Sequence, residues 1–140
     1  MSEYQGQCLC GAVHVAARGA PLAVRQCWCR QCQRLAAGNA TTNAIFMAEQ
    51  LAITGTLAQN HWVAASGNTL TFHFCPACGT HVYGQSSARL HMKTLRLGVL
   101  DTPHDLAPQA IIWTGDAPAW AVFDPALPQF AGQPPAPPTS

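Results

Sequence analysis

Phe74-Cys75-Pro76-Ala77-Cys78-Gly79-Thr80 is the stretch on which the reading of this 140-residue chain turns. Two thiols stand two residues apart. Pro76 fixes one backbone dihedral and Gly79 tolerates the left-handed one, which makes a zinc knuckle by composition. Outward from it lie the other five cysteines, in Cys8-Leu9-Cys10 and Cys27-Trp28-Cys29-Arg30-Gln31-Cys32. All seven cysteines fall in these three clusters. Thiolates so close in sequence are poor disulfide partners and natural chelators. Four of the seven sit in two pairs, and four thiolates complete a closed tetrahedral zinc site. The other three leave a tetrahedral ion one position short, and an open position separates a catalytic zinc from a structural one.

The bulk of the sequence bounds the rest. Its length fits one domain, and at 49% hydrophobic residues it can build a core. Charged residues are only 9%, with a formal net charge of +1 and no basic stripe. That argues against nucleic acid and against an anionic membrane surface. Met1-Ser2-Glu3-Tyr4-Gln5 carries no signal-peptide pattern, and no apolar run approaches the roughly 20 residues of a membrane span. An odd cysteine count without a secretion signal points to a reducing cytoplasm.

The hydrophobic pattern reads mostly as strands. The expected segments are Ala12 to Ala17, Ala40 to Met47, Leu51 to Thr54, His61 to Ala64, Leu70 to Phe74, Thr80 to Tyr83, Leu90 to Leu97 and Ala110 to Trp113. Ser66-Gly67-Asn68 is a strong hairpin turn signal. One short helix is expected from near Arg30 through Ala37, stopped by Gly38. The domain is read as 1–131. Residues 132–140 are Pro-rich and read as a flexible tail that adds little to a core.

Each cluster carries its own geometric demand. In an extended segment Cys8 and Cys10 would point to opposite faces, so they share an ion only if the backbone turns, which Gly11 permits. Joined to the knuckle, they would staple the N-terminus to the middle of the chain. The competing reading of Cys75 and Cys78 is a redox pair, but no strand–helix unit accompanies it. Cys32 opens the expected helix, and Arg25, Arg30 and Arg34 are near in sequence, so the thiols of the second cluster should ionise readily. The competing reading there is a second structural site completed by a histidine, with His73 and His81 nearest a cysteine pair.

Cys8-Leu9-Cys10-Gly11-Ala12-Val13, the Cys27/Cys29/Cys32 cluster and Phe74 to Thr80, in this order, resemble the glutathione-dependent formaldehyde-activating enzyme (GFA) family, which includes the centromere protein V group. Gly98-Val99-Leu100-Asp101, Pro108, Ile112-Trp113 and Ala117-Pro118-Ala119-Trp120 extend the resemblance over roughly residues 5 to 123. The family usually has His where Trp28 stands. The resemblance implies a mostly β fold, the β-tent, with zinc-stapled loops and one short helix after the second cysteine cluster. It implies two Zn2+ per chain: a structural zinc on Cys8, Cys10, Cys75 and Cys78, and a catalytic zinc on Cys27, Cys29 and Cys32. The activity implied is that of a carbon–sulfur lyase on a small thiol–aldehyde adduct of the S-hydroxymethyl-glutathione type, so the expected partner is a small thiol-containing substrate.

In that chemistry an open zinc holds a substrate sulfur as thiolate, and a nearby donor handles the oxygen. Gln31, Asn39, Thr41 and His73 are the candidate donors, each with a competing reading as a cap or turn residue. Trp28, between two ligands, is a candidate wall of the substrate pocket together with Gln31 and Asn39. Trp62, Trp113 and Trp120 are read as core or cover of the β layers, and Phe46 and Phe72 as packed inside. The alternative function is a non-catalytic zinc module that binds a protein partner, as fits the family's centromeric members.

Overall fold

The alternating segments pair into two sheets. The computed structural model describes residues 2–139. In chain order the elements are β1 (Glu3–Gln7), β2 (His14–Arg18), β3 (Ala23–Cys27), α1 (Arg30–Leu35), β4 (Thr41–Met47), β5 (Leu51–Thr54), β6 (Ala58–Val63), β7 (Thr69–Phe74), β8 (His81–Ser86), β9 (Met92–Arg96) and β10 (Ala110–Ile112). The smaller sheet has the order β1-β2-β5, and the larger β10-β3-β4-β9-β8-β7-β6. All pairings are antiparallel except β10 with β3. This is the mostly β fold that the sequence pattern indicates. Among the described residues no helix is long and apolar enough to cross a membrane.

Every expected strand is present within a few residues of its expected ends. Two further strands, β1 and β3, carry almost no apolar alternation. Glu3–Gln7 buries only Tyr4 and Gly6, and Ala23–Cys27 buries only Val24 and Cys27. Their strand state comes from neighbours: β1 lies on β2, and β3 is held between β4 and β10. Strand propensity yields to tertiary pairing in such segments.

The main core includes Tyr4, Val13, Val15 and Ala17 from the small-sheet side and Val24, Ala44, Phe46 and Leu95 from the large sheet. Tyr4 meets Phe46 edge-on at 6.4 Å between ring centroids. Cys8 and Cys75 belong to this core, at 1% and 0% exposure. The knuckle is thus built into the packing of the sheets.

Partners across an antiparallel pair share a face. The register Cys27↔Thr41, Asn43↔Arg96, Thr94↔Gly84 and Gly84↔Phe72 therefore lays these residues on one face of the large sheet. Leu95 and Tyr83, paired with each other, lie on the core face.

Three expectations about packing change. Trp62 is 49% exposed on β6, the edge strand of the large sheet, where no further strand covers it among the described residues. Trp120 is 65% exposed, and its ring is cover for Trp28. The Pro-rich stretch read as a flexible tail lies against the β3–β10 edge. Pro134 and Pro137 are buried, Arg25 Nη2 donates to the Pro135 carbonyl at 3.1 Å, and Trp113 Nε1 donates to Gln133 Oε1 at 3.0 Å. Proline lacks an N–H but buries as an apolar ring, and its carbonyl still accepts, so such a segment can seal an edge.

Candidate metal centres

The first centre gathers Cys8, Cys10, Cys75 and Cys78, whose Sγ atoms all lie within 4.8 Å of one another. Cys8 and Cys10 approach to 3.7 Å, and Cys10 and Cys75 to 3.8 Å. A tetrahedral zinc with Zn–S bonds near 2.3 Å separates its sulfurs by about 3.8 Å, so the four thiols fit that ion. The backbone does turn between Cys8 and Cys10. Gly11 has φ +82°, its N–H donates to Cys8 O at 3.1 Å, and Val13 N donates to Cys8 Sγ at 3.3 Å. The knuckle closes likewise, with Gly79 at φ +79° and its N–H on Cys75 O at 2.8 Å.

Thr80 ties the two halves together: its hydroxyl receives Leu9 N at 3.1 Å and lies 3.2 Å from Cys78 Sγ. The Thr80 hydroxyl and backbone, with the Cys10 backbone, hold the Cys78 thiol down to about 5. For Cys10 the Ala12 backbone pulls down, but crowding by Cys8, burial and the other thiols push it up to about 11.

The second centre is Cys27, Cys29 and Cys32, again with all Sγ atoms within 4.8 Å. Cys27 ends β3, Cys29 caps α1 and Cys32 sits in its first turn. The Cys29 Sγ accepts the Cys32 N–H at 3.3 Å, so a sulfur performs the N-cap role usually taken by Ser or Asp. The helix ends at Leu35, two residues before its expected stop, and the Gly38 N–H closes back on Gln33 O at 2.6 Å.

The three thiols are strongly unequal. Cys27, Cys29, the Thr41 hydroxyl and the Arg96 charge together pull Cys32 down to about 3 against its burial. Cys29 is pulled down by Cys27, but Cys32 and burial bring it up to about 11. Cys27 is raised by Cys29 and Cys32, and by burial. Cys32 is the thiol of the three most favoured to ionise, because its neighbours' thiols, the Thr41 hydroxyl and Arg96 all stabilise its charge.

No histidine joins this centre among the described residues. His73 stacks on Tyr83 at 4.0 Å on the core side of the sheet, and burial lowers its pKa. His81 stacks on Phe74 and lies near Phe72, with its pKa lowered by burial and by the Arg96 charge.

Of the proposed pocket residues, Gln31 is half-buried on α1, one residue before Cys32. Asn39 is exposed, and its Oδ1 accepts from Ala40 N at 2.8 Å, which is a turn role. Trp28 is 2% exposed, packed edge-on against Trp120 at 6.2 Å and Phe123 at 6.0 Å. It packs under the Cys27–Cys32 loop. A large apolar ring flanked by two aromatics buries itself more favourably than it lines a wet site.

The sequence reading missed Asn43 and Arg96. Arg96 Nη1 donates to Asn43 Oδ1 at 2.6 Å, and Asn43 Nδ2 donates to Thr41 Oγ1 at 2.9 Å. The signal available was an arginine alternating with Leu95 and Leu97, and an asparagine two residues after Thr41, both on the strand face opposite the core. A surface hollow of about 640 Å³ lies elsewhere, on the small sheet around Glu3, Arg18 and Glu49; it contains no cysteine or histidine.

Residues 3–116 match the family model described as glutathione-dependent formaldehyde-activating enzyme. The fold is similar to that of a crystal structure of a Rhodobacter sphaeroides protein, at a TM-score of 0.57 and 20% identity, over 71% of this chain and 90% of that one. No curated protein matches the chain.

Proposed function

Since the chain belongs to the glutathione-dependent formaldehyde-activating enzyme family, we propose that it is a zinc-dependent carbon–sulfur lyase acting on a small thiol–aldehyde adduct. The observation that carries this reading is the three-thiol centre with no fourth cysteine, histidine or carboxylate beside it among the described residues. Cys8, Cys10, Cys75 and Cys78 would hold a structural zinc, and Cys27, Cys29 and Cys32 a second one with a position left for substrate. Bound there, zinc would supply a soft Lewis acid that favours a substrate sulfur as thiolate.

In the releasing direction the C–S bond of the adduct breaks and its electron pair goes to sulfur. The adduct hydroxyl loses its proton to solvent as the carbonyl forms. The chain's part is to hold and orient. Cys29 is fixed by capping α1, and Cys27 by the β3–β4 and β3–β10 ladders. Gln31 and Thr41, the latter paired with Cys27 and bonded to Asn43, are the candidate donors that remain once Asn39 is occupied with its turn and His73 lies on the core face. The seven free thiols suit a reducing compartment, in keeping with a cytoplasmic enzyme.

The test is turnover. Zinc-replete protein is mixed with a thiol and formaldehyde, and adduct formation and decay are followed by NMR against the uncatalysed exchange. A rate above background that disappears in Cys29→Ser supports the lyase. Background rates with glutathione and with simpler thiols would sink it. The second reading, a zinc module that docks a protein, would then gain, since Trp62 and Val63 stand exposed on the edge strand β6.

A further inference from the structure

Three buried side-chain polar atoms lack a hydrogen-bond partner among the described residues: Trp28 Nε1, His81 Nδ1 and Arg96 Nε. Of these, Arg96 stands at the three-thiol centre. Trp28 stands between two of its cysteines, and the Arg96 charge acts on all three thiols and on His81. Unpartnered buried polar atoms are few in folded proteins, and each calls for a partner.

Arg96 is the most demanding of them because it is a cation. All six Asp and Glu side chains are exposed, and Arg96 hydrogen-bonds the neutral amide of Asn43 and reaches the Cys32 thiol. Its guanidinium carbon lies 5.7 Å from the Phe72 ring centroid. A Cβ at Gly84 would fall 3.3 Å from Phe72 Cδ1 and 3.8 Å from Arg96 Nη2, so the glycine lies directly beside both the ring and the guanidinium. Arg96 is placed on the thiol face by the β3–β4 and β4–β9 pairings, with no Asp or Glu side chain buried beside it. Arg96 is half-buried with its Nε fully enclosed, and a cation partly withdrawn from water without a counter-charge is unfavourable, so the centre or its ligand is the available balance. Three thiolates around a divalent ion sum to −1, which Arg96 cancels. An anionic fourth ligand would bring the centre to −2 without Arg96 and to −1 with it. A neutral ligand gains nothing from the arginine.

We infer that Arg96 is the counter-charge of the three-thiolate centre and the residue that makes it selective for an anionic fourth ligand, with Asn43 and Phe72 positioning it. This rests on the proposed function only in that the centre holds a divalent metal. A unit charge a few ångströms away in a partly screened site is worth about tenfold to a hundredfold in ligand affinity.

The full chain is loaded with cobalt and titrated at one fixed pH with thiocyanate as the anion, imidazole as the neutral ligand and 2-mercaptoethanol as the thiol. The visible spectrum reads each binding. In Arg96→Met the thiocyanate affinity should fall about tenfold or more while imidazole binding stays within about threefold, and Arg96→Lys should restore most of the loss. Asn43→Asp leaves the arginine in place but pairs its charge. It should reproduce the loss, which keeps the test decisive if Arg96→Met does not fold. An unchanged thiocyanate-to-imidazole ratio in the variants overturns the inference, and thiol binding in the same samples would leave the lyase reading intact. Thiocyanate that binds in an Arg96-dependent way, with no thiol binding, supports the inference and refutes the lyase. If wild-type cobalt protein takes up none of the three ligands, both fail.

Discussion

Cys75→Ser should unfold this protein far more readily than Cys29→Ser, although each removes one sulfur. Cys75 is fully buried in the main core, and its centre ties Cys10 to a partner 65 residues away. The chain-entropy relation for a cross-link of that span gives about 4 kcal/mol at 25 °C, and a metal clip closes the loop as a covalent one does. For 140 residues the unfolding entropy is about 0.3 kcal/mol/K, so the melting temperature should drop by about 10 to 15 °C. Zinc bound to the folded form only adds to the loss.

Cys29 stands in a different balance. Its centre spans only Cys27 to Cys32, a stretch already fixed by β3 and α1. The Cys29 sulfur caps the helix by accepting the Cys32 N–H, and serine is among the strongest residues in that role. The substitution should therefore cost no more than about 1 kcal/mol, or under about 4 °C. Thermal melts of both variants in zinc-replete buffer, with near-ultraviolet circular dichroism to confirm native packing, decide the matter. Equal losses would refute the division into a centre that holds the fold and one that serves chemistry.

Zinc-replete protein should contain two zinc ions per chain, and a mild chelator should take the ion of Cys27, Cys29 and Cys32 first because it has fewer protein ligands. Elemental analysis with thiol titration checks this, and disulfides between clusters in freshly reduced protein would contradict it. Thr80→Val should make the four-thiolate centre release its metal at higher pH. Thr80 holds Cys78 down to about 5, so protons compete for that sulfur only near or below this value, and removing the hydroxyl raises the point at which they do. A zinc indicator followed through an acid titration reads the midpoint, and an unchanged or lower midpoint refutes the assignment. Trp28→Ala should destabilise by about 3 to 5 kcal/mol, since it removes a fully packed ring from between Trp120 and Phe123. A change near zero in denaturant unfolding would mean that the indole faces an open pocket after all.

The fold was legible where its cause is local. Leu51–Thr54 and Ala110–Ile112 alternate or run apolar, and they appear as strands at the expected places. The turn at Gly67 joins β6 to β7 as its sequence indicates. β1 and β3 were not legible because their state depends on a partner strand distant in sequence. The placement of residues 132–139 was not legible for the opposite reason. Their composition speaks against a core, but a carbonyl on Arg25 and two buried proline rings need only an edge to lie on.

The candidate site divides in the same way. Its thiols announce themselves because chelation demands short spacing, and a short spacing is visible in one dimension. The groups that tune those thiols have no such constraint. Arg96 reaches Cys32 only because β4 pairs with both β3 and β9, which brings Thr41, Asn43 and Arg96 from two distant segments onto one face. In a chain with only seven Lys and Arg residues, an arginine that ends strand β9 between Leu95 and Leu97 is an expensive choice, since it is drawn partly out of water. The expense is explained if the charge has work at the centre. A ligand cluster read from sequence should therefore be followed by a search for strand-borne charges whose only possible counter-ions are the ligands themselves.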